Sequence, residues 1–539
     1  MKIKSLLIGM LACSAMVACT NTDELEVDNG KGKDGHSYLA VKFSMDGKSS
    51  RALGRYAEGT TDEVKVTKAT FFFLDETGNS CADPCTIAGS QLDSWTPGTS
   101  DNTNKDANTS VDETSAPVVV IKNAVKTPTQ IVAILNPVED YTSGKSLAEL
   151  EAISGTGFGV TESGKFVMSN SVYAEKGKKV IATTIPGSSI KNTPEAAIGA
   201  NVPVVIPVER VLAKVNFATN NVKGSEEVEL DRESASAEIA KTRISVEVTG
   251  YHLYKTYNTS YLFKNINPTW AGNWWNDATY HRSYWAINAT GGEWDNTKAY
   301  DGADMSDKYC QENTDADNKT KLLAIAVLKA DLTDDNKDNP TDISLVKYRG
   351  AYYTEKGFLA EVAKLYDVTK YYVKDGDGHR ALAAKDLTLA YNTITTNITV
   401  GGSAIQDYQA VPALASTITE VYTLDADKYV AANLDNVKAA INSIVKVKYW
   451  KNGRAYFFTD IEHGGAGCGV TEGGNEAQYG IVRNHLYRLT LTSIKGFGTP
   501  APGDKPIVPT TPEDDEETYL AAQVEILSYK VVTQNVTLQ

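Results

Sequence analysis

Histidine and cysteine are the residue types most able to do chemistry in this chain, and His463 and Cys468 lie close together in a glycine-rich segment. A thiol beside an imidazole can act as a nucleophile with its base. The sequence indicates no third group to orient such a pair, and it contains only 6 histidines. It also lacks a Gly-x-Ser-x-Gly elbow, a phosphate-binding loop and a His-Glu-x-x-His motif. We therefore expect a protein that is not an enzyme and that needs no cofactor or metal.

Cys19 is the residue whose surroundings predict a covalent modification. Lys2 and Lys4 precede an apolar or small run from residue 5 to 17, which is typical of a secretory signal and too short to span a bilayer. The run ends in Met-Val-Ala before Cys19, a pattern like the site at which bacterial lipoproteins are cut and diacylated. Each buried methylene of an acyl chain contributes about 0.8 kcal/mol, so a lipidated Cys19 would hold the precursor on a membrane. A plain signal peptide with an incidental cysteine is the alternative.

The remaining cysteines leave their pairing open. Cys81 and Cys85 are separated by Ala-Asp-Pro and could close a small disulfide loop in an oxidising compartment. Cys310 and Cys468 could pair or stay free, and their spacing does not decide between these states.

Length, composition and charge predict a β-rich protein of more than one domain. The chain has 539 residues, which is more than one ordinary core accommodates. Its 28 Tyr outnumber its 12 Phe, and Thr and Val recur, a mixture that suits pleated sheets. The net charge of −15 makes nucleic acid a poor partner, because phosphate neutralisation requires excess Lys and Arg.

Alternating apolar residues predict the first strand, from Tyr38 to Met45. Its buried face would consist of Leu39, Val41, Phe43 and Met45. Further strands are predicted at residues 64–74, 118–121, 130–135, 179–185, 204–217, 244–254 and 481–494. Two helices are predicted from apolar positions that share one face, first Phe358, Leu359, Val362 and Leu365, and later Leu434, Val437, Ile441 and Ile444.

The end of the chain predicts one more strand on a flexible connection. Residues 497–518 are rich in proline and acidic residues, so they would form an extended, solvated linker. After the linker, Val524 and Ile526 alternate before Leu527, Tyr529 and Val531 change phase. A change of phase within one strand indicates a bulge or a bend.

A cluster of tryptophans offers a different function. Five of the 7 Trp residues lie between Trp270 and Trp294. Flat aromatic rings can stack on sugars, so a surface glycan-binding lipoprotein that uses Trp274 and Trp275 is one hypothesis. Packing of a long insertion against the sheet is the simpler interpretation.

Several segments resemble the fimbrillins of Bacteroidales, particularly the Mfa-type major subunit of short fimbriae. The segment Ile481-Val-Arg-Asn-His-Leu-Tyr487 resembles the late strand before that family's proline-rich linker. The segment from Val524 to Val531 resembles the strand after the linker, although Ser528 stands where proline is expected. Residues 208–215 and 126–136 are similar to strands of the family's first domain. The resembling segments are short and are spread over the whole chain, and the resemblance is weak between residues 270 and 480.

The resemblance implies two tandem transthyretin-like β-sandwich domains with a few short helices and a C-terminal donor strand. The domain limits would be a lipoprotein signal peptide (1–18), a tether (19–36), a removable strand (37–51), an N-terminal domain (52–218), a C-terminal domain (219–496), the linker (497–518) and the donor strand (519–539). An arginine-specific, trypsin-like protease would cut between Arg51 and Ala52, with Arg55 in reserve. The donor residues Val524, Ile526, Leu527, Tyr529 and Val531 of one copy would then enter the groove that opens in the next.

The resemblance implies that this chain is a shaft-forming fimbrial subunit that supports adhesion and biofilm formation. Its partners would be further copies of itself, accessory fimbrial subunits and the processing protease, with a host or bacterial surface ligand also possible. The precursor would be lipid-anchored in the outer membrane before it joins a cell-surface fimbria. An accessory or anchor subunit, and the glycan-binding lipoprotein, are the alternatives.

Overall fold

A computed structural model describes most of the chain between residues 36 and 534. The described ranges are 36–44, 60–89, 92, 118–160, 164–175, 178–198, 203–231, 240–266, 286–315, 317–330, 340–400, 403–461, 463, 480–501, 519–528 and 531–534. Strands dominate these ranges, and the helices are few and short. The protein is therefore mainly β, as the sequence predicts. In the part of the chain that is described, no helix has the length and apolar character needed to cross a membrane.

The first part of the chain is built from short strands. They are β1 (Ser37–Ser44), β2 (Lys68–Leu74), β3 (Cys85–Ala88), β4 (Val118–Ile121), β5 (Gln130–Leu135), β6 (Ser154–Thr156), β7 (Met168–Asn170), β8 (Tyr173–Glu175), β9 (Lys178–Val180), β10 (Thr183–Thr184) and β11 (Val204–Arg210). The helices between them are α1 (Thr61–Val64), α2 (Leu147–Glu151) and α3 (Pro194–Ile198), with a 3₁₀ turn at Gly187–Ser189.

One sheet organises this part, in the order β3-β2-β5-β7-β11-β1-β4. Strand β11 changes partner along its length: residues 204–207 run parallel to β1, and residues 208–210 run antiparallel to β7. One apolar core includes residues of β1 and β4 together with Phe71 of β2 and Ala133 of β5. Phe72 and Leu74 belong to a second core, so β2 is buried on both faces.

The second part of the chain contains longer strands. They are β12 (Leu212–Ala218), β13 (Gly224–Asp231), β14 (Ala240–Tyr254), β15 (Thr259–Tyr261), β16 (Lys308–Gln311), β17 (Lys321–Ala330), β18 (Thr341–Asp342), β19 (Leu345–Tyr348) and β20 (Ala351–Thr354). Then follow α4 (Glu355–Leu365), β21 (Tyr371–Asp375), β22 (Gly378–Ala381), β23 (Leu387–Val400), β24 (Ser403–Leu414), β25 (Tyr422–Asp425), β26 (Lys428–Ala431), α5 (Leu434–Asn442), β27 (Lys448–Trp450), β28 (Arg454–Asp460), β29 (His485–Lys495), β30 (Thr499–Pro500), β31 (Tyr519–Ser528) and β32 (Val531–Gln534). Short 3₁₀ turns occur at Val368–Lys370, Ala384–Asp386 and Lys451–Gly453.

Two sheets enclose the core of this second part. One has the order β16-β12-β29-β31-β32, and the other has the order β27-β19-β20-β13-β14-β17-β28-β30. The core contains Phe217 and Leu489 from the first sheet and Leu230 and Ala324 from the second. Because β12 directly follows β11, one stretch of chain connects the first sheet to this core.

A smaller core forms within the second part, between β20 and β27. It is built around the helices α4 and α5, the hairpin β23–β24 and the sheet β22-β21-β25-β26. The two helices that the sequence predicts are thereby confirmed. Two of the predicted positions differ: Leu365 is 49% exposed although its spacing predicts a buried position, and Ile444 lies beyond the end of α5 at Asn442.

The predicted strand at residues 64–74 begins too early. Thr60 caps the helical turn α1 at residues 61–64 through a capping box with Glu63, so the chain is helical there and the strand starts at Lys68. The strands at 118–121 and 130–135 have the predicted limits.

Candidate functional site

Strand β1 lies inside the first sheet, between β11 and β4. Val41 and Phe43 pair with Val204 and Ile206 of β11, and Leu39 pairs with Val119 of β4. Tyr38 is held further by reciprocal backbone hydrogen bonds with Lys191, each 2.8 Å from nitrogen to oxygen. Pairing on both sides makes β1 an integral strand of the sheet.

The inward face of β1 fills the core. The side chains of Leu39 and Val41 are both 0% exposed, as the alternation of the sequence predicts. They pack in the cluster that contains Val119 and Ile206 from the flanking strands. Taking β1 away would therefore uncover apolar side chains and two rows of backbone hydrogen-bonding groups at once.

Other residues predicted for the start of the chain lie outside the described ranges. They are Cys19, Met45, Arg51, Ala52 and Arg55. The described chain leaves β1 at Ser44 and resumes at Thr60, which places the predicted cleavage position in the connection between β1 and α1.

The C-terminal segment forms two strands that pair with the same chain. Strand β31 runs antiparallel to β29, with Val524 opposite Leu489 and Ile526 opposite Tyr487. Strand β32 turns back along β31 and places Val531 opposite Leu527. The predicted single strand with a bulge or a bend is wrong, because the chain forms two strands. The phase changes between Ile526 and Leu527, before β31 ends at Ser528 and the chain reverses into β32. Tyr529 lies outside the described ranges.

Strand β29, which carries β31, is fixed in the second part of the chain. It runs parallel to β12, with Tyr487 opposite Val215. The Tyr487 side chain is fully buried, its hydroxyl lies 2.7 Å from Nδ1 of His463, and it accepts a hydrogen bond from the backbone of Val482. Burial raises the pKa of Tyr487 well above its ordinary value. His463 therefore has a structural contact, while Cys468 lies outside the described ranges.

The described cysteines are free thiols. Cys81 and Cys85 are not bonded to each other, so the predicted small disulfide loop is not formed, and Cys310 is also free. Burial raises the pKa of Cys81 to about 11 and that of Cys310 to about 12, which keeps both thiols protonated at neutral pH. Neither thiol has the character of a catalytic nucleophile.

Two buried ion pairs were missed by the sequence analysis. The ammonium of Lys264 lies 3.1 Å from the Glu209 carboxylate, and both side chains are 0% exposed. The guanidinium of Arg483 lies 2.5 Å from the Glu312 carboxylate and also donates to the carbonyls of Tyr261 and Leu262. The signal was present in Glu209 and Arg483, because each is a charged residue inside an apolar strand-like run.

The tryptophan cluster is described at only one position. Trp294 pairs with Tyr257 through an isolated β-bridge, and their ring centroids are 4.5 Å apart. Trp270, Trp274, Trp275 and Trp285 lie outside the described ranges.

Three solved structures that are similar to this chain come from Parabacteroides distasonis and Porphyromonas gingivalis. A candidate cell adhesion protein of Parabacteroides distasonis is 11% identical over 94% of this chain and 98% of that chain, with a TM-score of 0.33. A fimbrial assembly protein of the same species is 9% identical over 73% of this chain and 98% of its own, with a TM-score of 0.27. The tip fimbrial protein Mfa3 of Porphyromonas gingivalis, with a C-terminal truncation, is 10% identical over 70% of this chain and 99% of its own, with a TM-score of 0.24. These TM-scores are too low to support a functional conclusion.

Comparison with protein families gives the more specific result. No curated protein matches the sequence at significant similarity. The family model described as the C-terminal region of the type IV major fimbrial subunit protein, fimbrillin, matches residues 448–535. That range begins at β27 and includes β29 and the strands β31 and β32 that pair beside it. Residues 448–535 of this chain are therefore similar to the C-terminal region of fimbrillins.

Proposed function

We propose that this chain is the precursor of the major, shaft-forming subunit of a bacterial surface fimbria, and that it polymerises by protease-triggered strand exchange. The observation that carries the proposal is the position of β1. This strand is paired on both sides and buried through Leu39 and Val41, and the sequence that connects it to α1 contains Arg51 and Arg55. A cut in that connection would free β1 from the remainder of the chain.

The open groove would have a strong tendency to take up another strand. Burial of two side chains such as Leu39 and Val41 stabilises by about 1.5 to 3 kcal/mol each, before the cost of ordering the incoming strand. The backbone groups of β11 and β4 would regain their partners at the same time. A strand with alternating apolar residues is therefore the expected occupant.

The C-terminal strands supply that occupant. Val524, Ile526, Leu527, Tyr529 and Val531 follow a proline-rich, acidic linker that permits reach to a neighbouring copy. The predicted start of this linker at residue 497 is too early, because Phe497 and Ala501 are buried and Thr499–Pro500 forms β30. In the single chain β31 pairs with β29 and β32 pairs with β31, so exchange requires that both strands leave this position. Because the groove and the donor strand are different surfaces, head-to-tail joining does not close and gives an open fibre.

The location and partners follow from the same proposal. A lipidated Cys19 would anchor the precursor in the outer membrane, and an arginine-specific protease would release the shorter subunit. Its partners would be further copies of itself and accessory fimbrial subunits. The subunit itself would consist of two tandem transthyretin-like β-sandwich domains. The proposal also includes that the subunit is of the Mfa type, the major subunit of short fimbriae.

A cleavage-and-assembly experiment tests the proposal. Residues 20–539 are treated sparingly with trypsin and examined by gel electrophoresis without boiling and by electron microscopy. We expect an SDS-resistant ladder and fibres. Two variants are the controls: the triple variant Lys48→Ala, Arg51→Ala and Arg55→Ala should not be cut between β1 and α1, and a chain that ends before Tyr519 should be cut without assembling.

Other outcomes would favour the alternatives. A protein that loses its N-terminus and never polymerises would contradict the shaft proposal and favour an accessory or anchor subunit. Glycan-array binding by the monomer, abolished by Trp274→Ala and Trp275→Ala, would favour the glycan-binding lipoprotein.

A further inference from the structure

Glu63 is a buried acidic residue in the helical turn α1, which follows the loop that contains Arg51 and Arg55. Its side chain is 1% exposed, although Thr60 and Asp62 beside it are exposed. One carboxylate oxygen receives the Thr60 backbone N–H at 2.6 Å. The other accepts from Lys214 at 2.9 Å and from the Tyr309 hydroxyl. The backbone carbonyl of Glu63 accepts from Nε of Arg210 at 2.8 Å.

The partners of Glu63 come from elements far apart in the sequence. Arg210 ends β11, the strand that borders β1, and its backbone N–H donates to the Asn484 side chain just before β29. Lys214 belongs to β12 and also pairs with Asp307 at 2.7 Å. Tyr309 belongs to β16 of the second part. Glu63 therefore connects the end of the loop to the place where the two parts of the chain meet.

The electrostatics of this cluster keep Glu63 ionised. Burial raises the pKa of Glu63, but the hydrogen bonds from Tyr309, Lys214 and the Thr60 backbone outweigh burial and leave the pKa below its ordinary value. The Lys214 ammonium lies 5.6 Å from the centre of the Tyr309 ring, so the ring also contacts the cation. Removing a buried carboxylate from several donors is costly, because the Tyr309 hydroxyl and the Thr60 backbone N–H would lose this acceptor and Lys214 would keep only Asp307.

None of these contacts involves β1. The removal of β1 would take away the pairing partners of β11 and β4, but the contacts of Glu63 run to β11, β12 and β16 instead. Without such an attachment, a newly cut segment next to an open groove would fray, and Lys65 and Lys68 would become further sites for a trypsin-like protease.

We propose that Glu63 is an anchor for the N-terminus created by processing, which fixes α1 at the junction of the two parts and ends the protease-sensitive segment before Lys65. The inference rests on the proposed function in one respect, namely that the loop after β1 is cut. It adds a second requirement for assembly: the chain downstream of the cut must stay in place while the groove is open.

The test follows the N-terminus of the full precursor by mass spectrometry during extended digestion with trypsin. In the wild type, the N-terminus should remain at Ala52 or Tyr56. In Glu63→Ala, it should advance to Val66 or Ala69 at least about tenfold faster, because proteolysis follows the population of the opened form. Glu63→Gln keeps an acceptor for Tyr309 and Lys214, so it should restore part of the resistance.

Asp62→Ala is the matched control, since the Asp62 side chain is 79% exposed and its pair with Lys165 spans 3.4 Å. It should retain the wild-type N-terminus. Hydrogen exchange at residues 60–66 gives a second readout in the uncut protein, where Glu63→Ala should lose protection while β17 keeps it. Wild-type resistance in Glu63→Ala, equal trimming in Asp62→Ala, or no cut upstream of Thr60 would overturn the anchor. If the anchor behaves as expected and fibres still fail to form, only the shaft proposal fails.

Discussion

The side chains of Arg483 and Glu312 form an ion pair that is almost completely buried. A single substitution in this pair should have a large effect on the free energy of unfolding. Arg483 also donates to the carbonyls of Tyr261 and Leu262, so its hydrogen-bonding groups are used in several directions. A buried cation that loses its carboxylate is left without compensation, and such losses typically cost about 3–5 kcal/mol.

Glu312→Leu should therefore lower the free energy of unfolding by about 3–5 kcal/mol, measured by urea denaturation. Glu227→Leu is the control, since Glu227 pairs with Lys241 at 3.7 Å on the surface, with side chains 64% and 72% exposed. Exposed pairs contribute about 0–1 kcal/mol, so this control should change little. Equal effects of the two substitutions would contradict the importance of the buried pair.

The Glu63 carboxylate makes stability depend on pH in a defined direction. Because its pKa is lowered by folding, its contribution is present above the ordinary value of 4.5 and is lost as the pH falls through the folded pKa. The difference in unfolding free energy between the wild type and Glu63→Gln should thus be largest at neutral pH and shrink below pH 4.5. A difference that stays constant from pH 7 to pH 3 would show that the charge of Glu63 is not what stabilises the fold.

Individual apolar residues were more predictable than charged ones. Leu39 and Val41 are buried as their alternation predicts, because spacing of two along a strand fixes which face a side chain occupies. The apolar runs around Glu209 and Arg483 indicate that these charges are buried, but nothing in the sequence identifies their partners. Lys214, Lys264 and Glu312 are distant in sequence from Glu63, Glu209 and Arg483, and only the tertiary fold brings each pair together.

At the scale of elements, β1 should stabilise the precursor but not the fibre. Leu39→Ala should lower the unfolding free energy of the uncut chain by about 2–5 kcal/mol, the usual cost of such a cavity. The SDS resistance of fibres made after cutting should not change, because β1 is absent from them. Leu489→Ala is the comparison: Leu489 is 0% exposed in the core of the second part, so it should weaken both states. Fibres that weaken equally with Leu39→Ala would show that β1 stays in place.

The pairing of β31 with β29 allows an engineered disulfide to hold the two strands together reversibly. Thr490 of β29 pairs with Gln523 of β31, and opposed residues in antiparallel strands have Cα separations that suit a disulfide. The double variant Thr490→Cys and Gln523→Cys, once oxidised, should be cut by trypsin and remain monomeric. Reduction should restore assembly, as followed by light scattering. Assembly of the oxidised protein at the wild-type rate would show that β31 need not leave β29.

The elements were predictable where one local pattern decides the structure. The strands at 118–121 and 130–135 have the expected limits, and the apolar faces of α4 and α5 place both helices correctly. At residues 61–64 the capping box between Thr60 and Glu63 favours a helical turn over the predicted strand. The reversal between β31 and β32 appears in the sequence only as a change of phase, which a bulge would also produce.

For the whole molecule, the chain path relates the groove to the donor strand. Strand β11 borders β1 and continues directly into β12, β12 pairs with β29, and β29 carries β31. The region that would open and the strand that would leave are thus joined by consecutive paired strands. The order of events, a cut followed by exchange, is compatible with this path because the Glu63 contacts hold α1 in place without β1.

The general architecture was less predictable than its strands. Composition favours a mainly β protein, and the structure is mainly β. The small core between β20 and β27 is not apparent from the sequence, because the spacing that predicts α4 and α5 does not show what their apolar faces pack against. The packing of Leu262 and Phe263 on the first sheet was also missed, since it joins residues on opposite sides of the expected domain limit at residues 218 and 219.

The central claim is that the C-terminal strands of one copy fill the groove of another. Cross-linking of lysines in fibres built from a mixture of isotopically labelled and unlabelled subunits tests it most directly. We expect links between Lys530 of one copy and Lys122 or Lys191, near β4 and β1, of a differently labelled copy. Links from Lys530 that stay within one copy, to lysines near β29, would contradict strand exchange.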